Sequence, residues 1–151
     1  MLSALIVETE AYLGQKDSTA HAYRGHRSPA NEALYGPPGM IYIFSLRGQL
    51  MLNFITQKRN VPQGILIRGI EPLTGIEIME HNRAKHGYDL TNGPGKLTQA
   101  LGIFDRSLNL TLLDQGPLTL ELRSAKQPRA IKASARINVS KRGTWTKKPL
   151  R

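Results

Sequence analysis

The chain has 151 residues, 40% hydrophobic and 21% charged, which suits one domain with a real core and is too short for two. Lys and Arg number 21 against 11 Asp and Glu, a formal net charge of +10; such an excess attracts polyanions, nucleic acid above all. There is no cysteine, which excludes disulfides, thiolate catalysis and Cys-ligated zinc.

Leu5 to Tyr12 (LIVETEAY) combines β-branched residues with an aromatic and contains no Gly or Pro, so it reads as a strand. Alternation puts Leu5, Val7, Thr9 and Ala11 on one face, apolar enough to lie on a core, and Ile6, Glu8, Glu10 and Tyr12 on the other. Residues two apart on a strand face are about 7 Å apart, so Glu10 and Tyr12 can line one pocket. An ordinary edge strand with a solvated acidic face gives the same pattern. Gly14 to Pro38 is punctuated by Gly14, Gly25, Gly36, Pro29, Pro37 and Pro38 and carries Arg24, His26 and Arg27. A long basic loop of this kind after a candidate catalytic strand points to function.

Met40 to Leu46 (MIYIFSL) is a second strand, Arg47-Gly48-Gln49 a turn, and Leu50 to Ile55 the return of a hairpin. Tyr42, Phe44 and Leu46 share a face, which for most aromatic strands is a core face. Ile65 to Glu71 is an apolar strand interrupted by Arg68, a charge that needs a partner or a solvated edge. Thr74-Gly75-Ile76-Glu77 has capping-box spacing and opens a helix running to about His81 or Lys85, with Ile76, Met79 and Arg83 on its inner side. Asn92 to Ile103 (NGPGKLTQALGI) holds a second short helix, capped by Asn92, with Pro94 in its first turn and Gly102 at its end. Gly93, Gly95 and Lys96 at its start let an anion, such as a DNA phosphate, reach free backbone amides. Leu118 to Arg123 (LTLELR) and Ile131 to Val139 (IKASARINV) are expected strands. In the second, Ile131, Ala133, Ala135, Ile137 and Val139 form a buried face, and Lys132, Ser134, Arg136 and Asn138 a basic one. From Arg123 onward there are ten Lys and Arg and no acid, either a solubilising tail or a DNA-contacting one that includes Lys147 and Lys148.

A strand ending in Glu10-Ala11-Tyr12, His21 nine positions later, and the loop YRGHRSPAN from Tyr23 to Asn31 resemble the alkylpurine (3-methyladenine) DNA glycosylase family. The similarity continues through Pro38-Gly39, Arg68 to Pro72 (RGIEP), Gly93 to Leu97 (GPGKL) and Trp145 to Arg151 (WTKKPLR). These blocks occur in the family's order and span nearly the whole chain. The resemblance implies a single α+β domain over residues 1–151, short at both ends relative to the family, with a curved, mainly antiparallel sheet, short helices and a protruding β-hairpin that enters the minor groove.

Removing a damaged purine breaks the C1′–N bond through a sugar of oxocarbenium character, with water completing the substitution. Such a site needs a base for water, negative charge near the sugar and a slot for the flipped purine. A purine already cationic through alkylation leaves without a protonating acid, so the paired carboxylates of glycoside hydrolases are not required. Glu8 shares the strand face with Glu10 and is the paired acid of a two-carboxylate mechanism; the resemblance instead makes Glu10 the base, as the Glu of Glu-x-Tyr.

By the same resemblance Tyr12 stacks on the flipped base, Phe44 stands where the family has an opposing tyrosine, and His21 is the pocket histidine. Asn53 matches an asparagine that disfavours guanine's amino group. Arg68 matches a DNA-backbone-contacting arginine, and Arg47 stands at the position of the family's intercalating tyrosine in a turn one residue shorter. No lysine lies in the core motif, so a Schiff-base lyase is not expected. The expectation is a monofunctional DNA glycosylase of base-excision repair acting on alkylated or deaminated purines, 3-methyladenine or hypoxanthine among them. It works without metal or cofactor on double-stranded DNA, as a monomer in a bacterial-type cytoplasm, held on the nucleoid by DNA and not by a membrane. A non-catalytic nucleic-acid-binding domain is the alternative that the same charge and hairpin allow.

Overall fold

The computed structural model describes residues 1–122, 127–139 and 143–151. Among these, four strands, β1 (Ser3–Tyr12), β2 (Ile41–Leu46), β3 (Gln49–Ile55) and β4 (Gly64–Thr74), form an open antiparallel sheet in the order β1-β4-β3-β2. Two helices follow, α1 (Ile76–Arg83) and α2 (Pro94–Ala100), making an α+β fold. None of the described helices is long and apolar enough to cross a membrane.

Hydrophobic alternation divides the sheet into two faces. Ile41, Ile43, Leu52, Phe54 and Ile67 pack on one side with Leu97 of α2 and Ile103. Tyr42 and Ile55 point the other way and pack with Ala22, Ala33, Leu34 and Tyr35 from the loop after β1. That loop is irregular, as expected, and is pinned by three short 3₁₀ turns, Gly14–Lys16, Tyr23–Gly25 and Glu32–Tyr35. The register carries one row across all four strands: Glu10 opposes Leu66, Leu66 opposes Asn53, and Asn53 opposes Tyr42. Directly opposed residues share a face, so these four side chains stand on the face away from α2.

Several expectations are corrected. Residues 118–122 form no strand: Asp114 N–H donates to Leu118 O at 3.2 Å and Leu120 N–H to Asp114 Oδ1 at 3.3 Å, tying the segment to its own turn. The free side of β2 is met instead by Asn109, Leu110 and Thr111, which bond to Ile41 and Ile43; Arg123 lies outside the described residues. Residues 131–139 form no strand either. The expected alternation fails, with Ile131 88% exposed and Arg136 buried, because the two Nη groups of Arg136 are bonded to Asp17, Ala11 O and Trp145 O, which offsets the cost of burying its charge. On β1, the face expected on a core leaves Val7 61% exposed.

Thr74 caps no helix. It is still in β4, where its hydroxyl meets that of Ser3 at 2.8 Å, and Gly75 at φ 72° makes the turn into α1. Met79 is fully buried on α1, but Ile76 is exposed. Asn92 is not the cap of α2 either; Gly93 is, and Asn92 Oδ1 accepts from Lys96 Nζ at 2.7 Å. Pro94 does open α2, and Gly102 follows it at φ 76°.

Candidate active site

Glu10 has no exposed surface, so its oxygens need partners inside the protein. Tyr12, one step along the same strand face, donates its hydroxyl to Oε2 at 2.9 Å. The backbone N–H of Ile137 donates to Oε1 at 2.8 Å across 127 residues of chain. Arg68 Nη1 lies 3.4 Å from the same oxygen. A carboxylate can accept about four hydrogen bonds; among the described residues Oε1 takes the Ile137 N–H and faces Arg68, while Oε2 takes the Tyr12 hydroxyl. Burial first, and then the Glu10 charge, push the Tyr12 pKa well above the phenol range, so its proton stays on the hydroxyl.

Arg68 reaches Glu10 because the β1–β4 ladder slips twice there: Val7 of β1 and Arg68 of β4 are left without opposite partners. Such bulges re-aim side chains. Arg68 Nε bonds Glu8 Oε1 at 3.1 Å, and Arg151 Nη1 bonds the same oxygen at 3.0 Å. Glu8 therefore sits in an ion-pair cluster with two arginines, and Arg68 joins both carboxylates.

Arg136, Ile137, Leu150 and Arg151 flank β1. Leu150 O accepts from Ala11 N–H at 2.7 Å, and Ser134 and Arg151 exchange two backbone bonds at 2.8 and 3.0 Å. Arg136 anchors this segment. Its guanidinium forms a fork with Asp17 at 2.6 and 2.9 Å, donates to Ala11 O at 2.8 Å and to Trp145 O at 3.3 Å, and lies 4.7 Å from the Tyr12 ring centroid. The Asp17 and Arg136 side chains are both fully buried. Burial acts to raise the Asp17 pKa, but the bonds from Arg136, Thr19 and Leu13 outweigh it and hold the carboxyl below its usual range.

On β2, His21 Nδ1 and the Tyr42 hydroxyl are 2.8 Å apart, and the His21 ring meets Phe44 edge-on with centroids 4.5 Å apart. Desolvation lowers the His21 pKa, with His26 acting the same way, while burial pushes Tyr42 up to about 12; a neutral imidazole and a neutral phenol meet there. Asn53 donates to Tyr42 O at 3.2 Å and Met51 O at 3.0 Å, which fixes its orientation.

The structure thus gathers Glu10, Tyr12, Arg68, His21, Phe44 and Asn53 on one side of the sheet. Lys96 stands apart: α2 packs on the opposite face, and Lys96 Nζ is engaged by Asp89 at 2.5 Å and by Asn92. Arg47 is exposed at the tip of the β2–β3 hairpin, where Leu46 opposes Gln49 and Arg47 and Gly48 have φ 51° and 76°. Lys147 is exposed, and Lys148 Nζ lies 3.7 Å from the Trp145 ring centroid, in the turn next to Arg136. Tyr42, Asp17, Arg136 and the Ile137 N–H were not legible as site groups. Tyr42 alone left a signal, two residues from Phe44 on the same strand face. Among the described residues no group of three metal-ligating side chains occurs.

A buried carboxylate bonded to a tyrosine two residues away shares one face of the sheet with aromatic and imidazole rings, on a chain of formal charge +10. Over residues 1–151 the chain matches the model of the methylpurine-DNA glycosylase family, and it belongs to that family; it is a DNA glycosylase, a hydrolase of N-glycosyl bonds. It is 49% identical over 97% of its length to a Staphylococcus saprophyticus protein named "Putative 3-methyladenine DNA glycosylase", of which it covers 71%. Proteins of the same name from Staphylococcus haemolyticus (49% identity, 99% of this chain and 73% of the relative) and Lactiplantibacillus plantarum (47%, 100% and 72%) are similar to the same degree.

Proposed function

We propose that this glycosylase excises alkylated purines of the 3-methyladenine type from duplex DNA by hydrolysis, with Glu10 as the only essential carboxylate. The observation that carries this reading is the complete burial of Glu10, with the Ile137 N–H and Arg68 on Oε1 and, among the described residues, the Tyr12 hydroxyl on Oε2. A water donating to Glu10 is activated as a nucleophile, and the carboxylate's charge stabilises the cationic sugar. Glu8, bound by two arginines, is a structural partner and no second acid. Hypoxanthine is accepted as an uncharged substrate of the same slot.

The damaged base is flipped out and stacks on Tyr12, with Phe44 and His21 closing the slot. With Tyr42 O–H donating to Nδ1, the His21 Nε2–H is free to donate to the base. Asn53, anchored through its amide, cannot swing aside for guanine's extra 2-amino group. Arg47 fills the gap in the duplex, and Lys147 and Lys148 contact phosphates. Arg68, whose fork is spent on Glu8 and Glu10, orients the base more than it grips DNA. Lys96 is the weakest of the DNA contacts, lying on the far face and neutralised by Asp89. The enzyme works as a monomer in the cytoplasm.

The test is excision from a 3-methyladenine-containing duplex in single-turnover conditions. Glu10→Gln should bind the duplex within about threefold of the parent and lose at least ~10³ in rate, the scale expected when a general base and its charge are both removed. Glu8→Gln should retain most of the rate. The opposite ranking overturns the assignment.

A further inference from the structure

The mechanism above leaves Arg136 without a role, yet it is the most heavily bonded cation among the described residues. Its side chain is fully buried, fork-bound to Asp17, and 4.7 Å from the Tyr12 ring centroid. An aromatic ring has two faces, so a guanidinium against one leaves a flipped base only the other. We propose that Arg136 is a specificity-determining residue: a fixed charged backing to Tyr12 that weakens the ring's hold on positively charged bases relative to uncharged ones.

The physical reason is the ring quadrupole. A cation over one face draws π-density towards itself and reduces the attraction available to a second cation on the opposite face. The two positive charges also repel through a site largely stripped of water, where screening is weak. An uncharged damaged purine stacks by area and dispersion and loses little. Tyr12 cannot escape the arrangement by rotating, because its hydroxyl is held by Glu10 at 2.9 Å. Arg136 cannot withdraw either, because Asp17, Ala11 O and Trp145 O hold it from three directions. The consequence is a slot that selects by shape and not by charge, and so admits uncharged lesions beside alkylated cations.

This inference rests on the reading of Tyr12 as the stacking residue. Its test is a pair of duplexes that differ only in base charge: 3-methyladenine, and 3-methyl-3-deazaadenine, which is its neutral isostere. Dissociation constants are measured in the Glu10→Gln background, so that excision does not intervene. Arg136→Gln should raise the preference for the cationic base at least ~3-fold over the Arg136 parent, whereas Arg136→Lys, which keeps the charge, should stay within ~2-fold of it. Because a lone Arg136→Gln strands a buried Asp17, the double variant Asp17→Asn/Arg136→Gln keeps a neutral hydrogen-bonded pair and should show the same shift. An unchanged preference in the folded double variant, or an equal shift in Arg136→Lys, overturns the proposal. Failure of the underlying reading has a different signature, since Tyr12→Ala would then bind both duplexes as the parent does.

Discussion

At the scale of single residues, stability near the site is concentrated in the Asp17–Arg136 pair. Breaking a buried ion pair from one side strands the other charge, at a cost of about 3–5 kcal/mol. Asp17→Ala should therefore lose about that much in denaturant unfolding, and Asp17→Asn less, because an amide still accepts from the guanidinium. The folded Asp17 carboxyl titrates below its ordinary value, so the native state binds fewer protons than the unfolded chain over that interval. The pair's contribution is then complete above about pH 4 and is lost as pH falls through the folded value. Thermal melts from pH 6 to pH 2 should show a steeper acid loss in the parent than in Asp17→Asn. His21, whose pKa is also lowered, remains neutral at pH 7, so excision should not decline until pH falls below about 6.5.

At the scale of elements, the β2–β3 hairpin joins two constraints in one turn. A two-residue loop with both central residues at positive φ matches the twist of the strands it connects, but Arg47 at φ 51° takes a conformation costing a non-glycine residue about 1–2 kcal/mol. Arg47→Gly should therefore stabilise the protein by about 1 kcal/mol in chemical denaturation. If Arg47 fills the gap left by the flipped base, Arg47→Ala should slow excision from paired duplex far more than from single strands. Equal losses would make Arg47 a general electrostatic contact. The four sheet strands were legible because β-branched alternation carries its own period. The segments 118–122 and 131–139 misled for the same reason, since period two is also met by chain that finds no sheet edge to join. Of the candidate site, Glu10, Tyr12, His21, Phe44 and Asn53 come from a family resemblance; alternation alone leaves Glu10 open to both a pocket and a solvated edge. Arg136 was placed on an exposed basic face because its partner, Asp17, lies 119 residues away with no spacing that links the two.

At the scale of the whole molecule, a formal charge of +10 means that the first encounter with DNA is electrostatic and nonspecific. Binding should weaken with salt at a log–log slope near −0.9 for each phosphate neutralised. Replacing Lys147 and Lys148 by Ala should flatten that slope by about 1–2 without altering the ranking of lesions. A slope equal to the parent's would assign those lysines to solvent. The two lysines extend from the same turn whose carbonyl at Trp145 holds Arg136, so the position of that turn and that of the guanidinium beside Tyr12 are mechanically joined.

The bond from Ile137 N–H to Glu10, and that from Ala11 N–H to Leu150 O, have a consequence for how the enzyme comes into being. Both join positions far apart in sequence, 127 residues in the case of Ile137 and Glu10, and contacts of that kind form late because closing a long loop costs entropy that local strand pairing does not. The hairpin of β2 and β3 can therefore pair before the Glu10 carboxylate acquires its backbone donor, so the environment of Glu10 is among the later features of the fold to be completed.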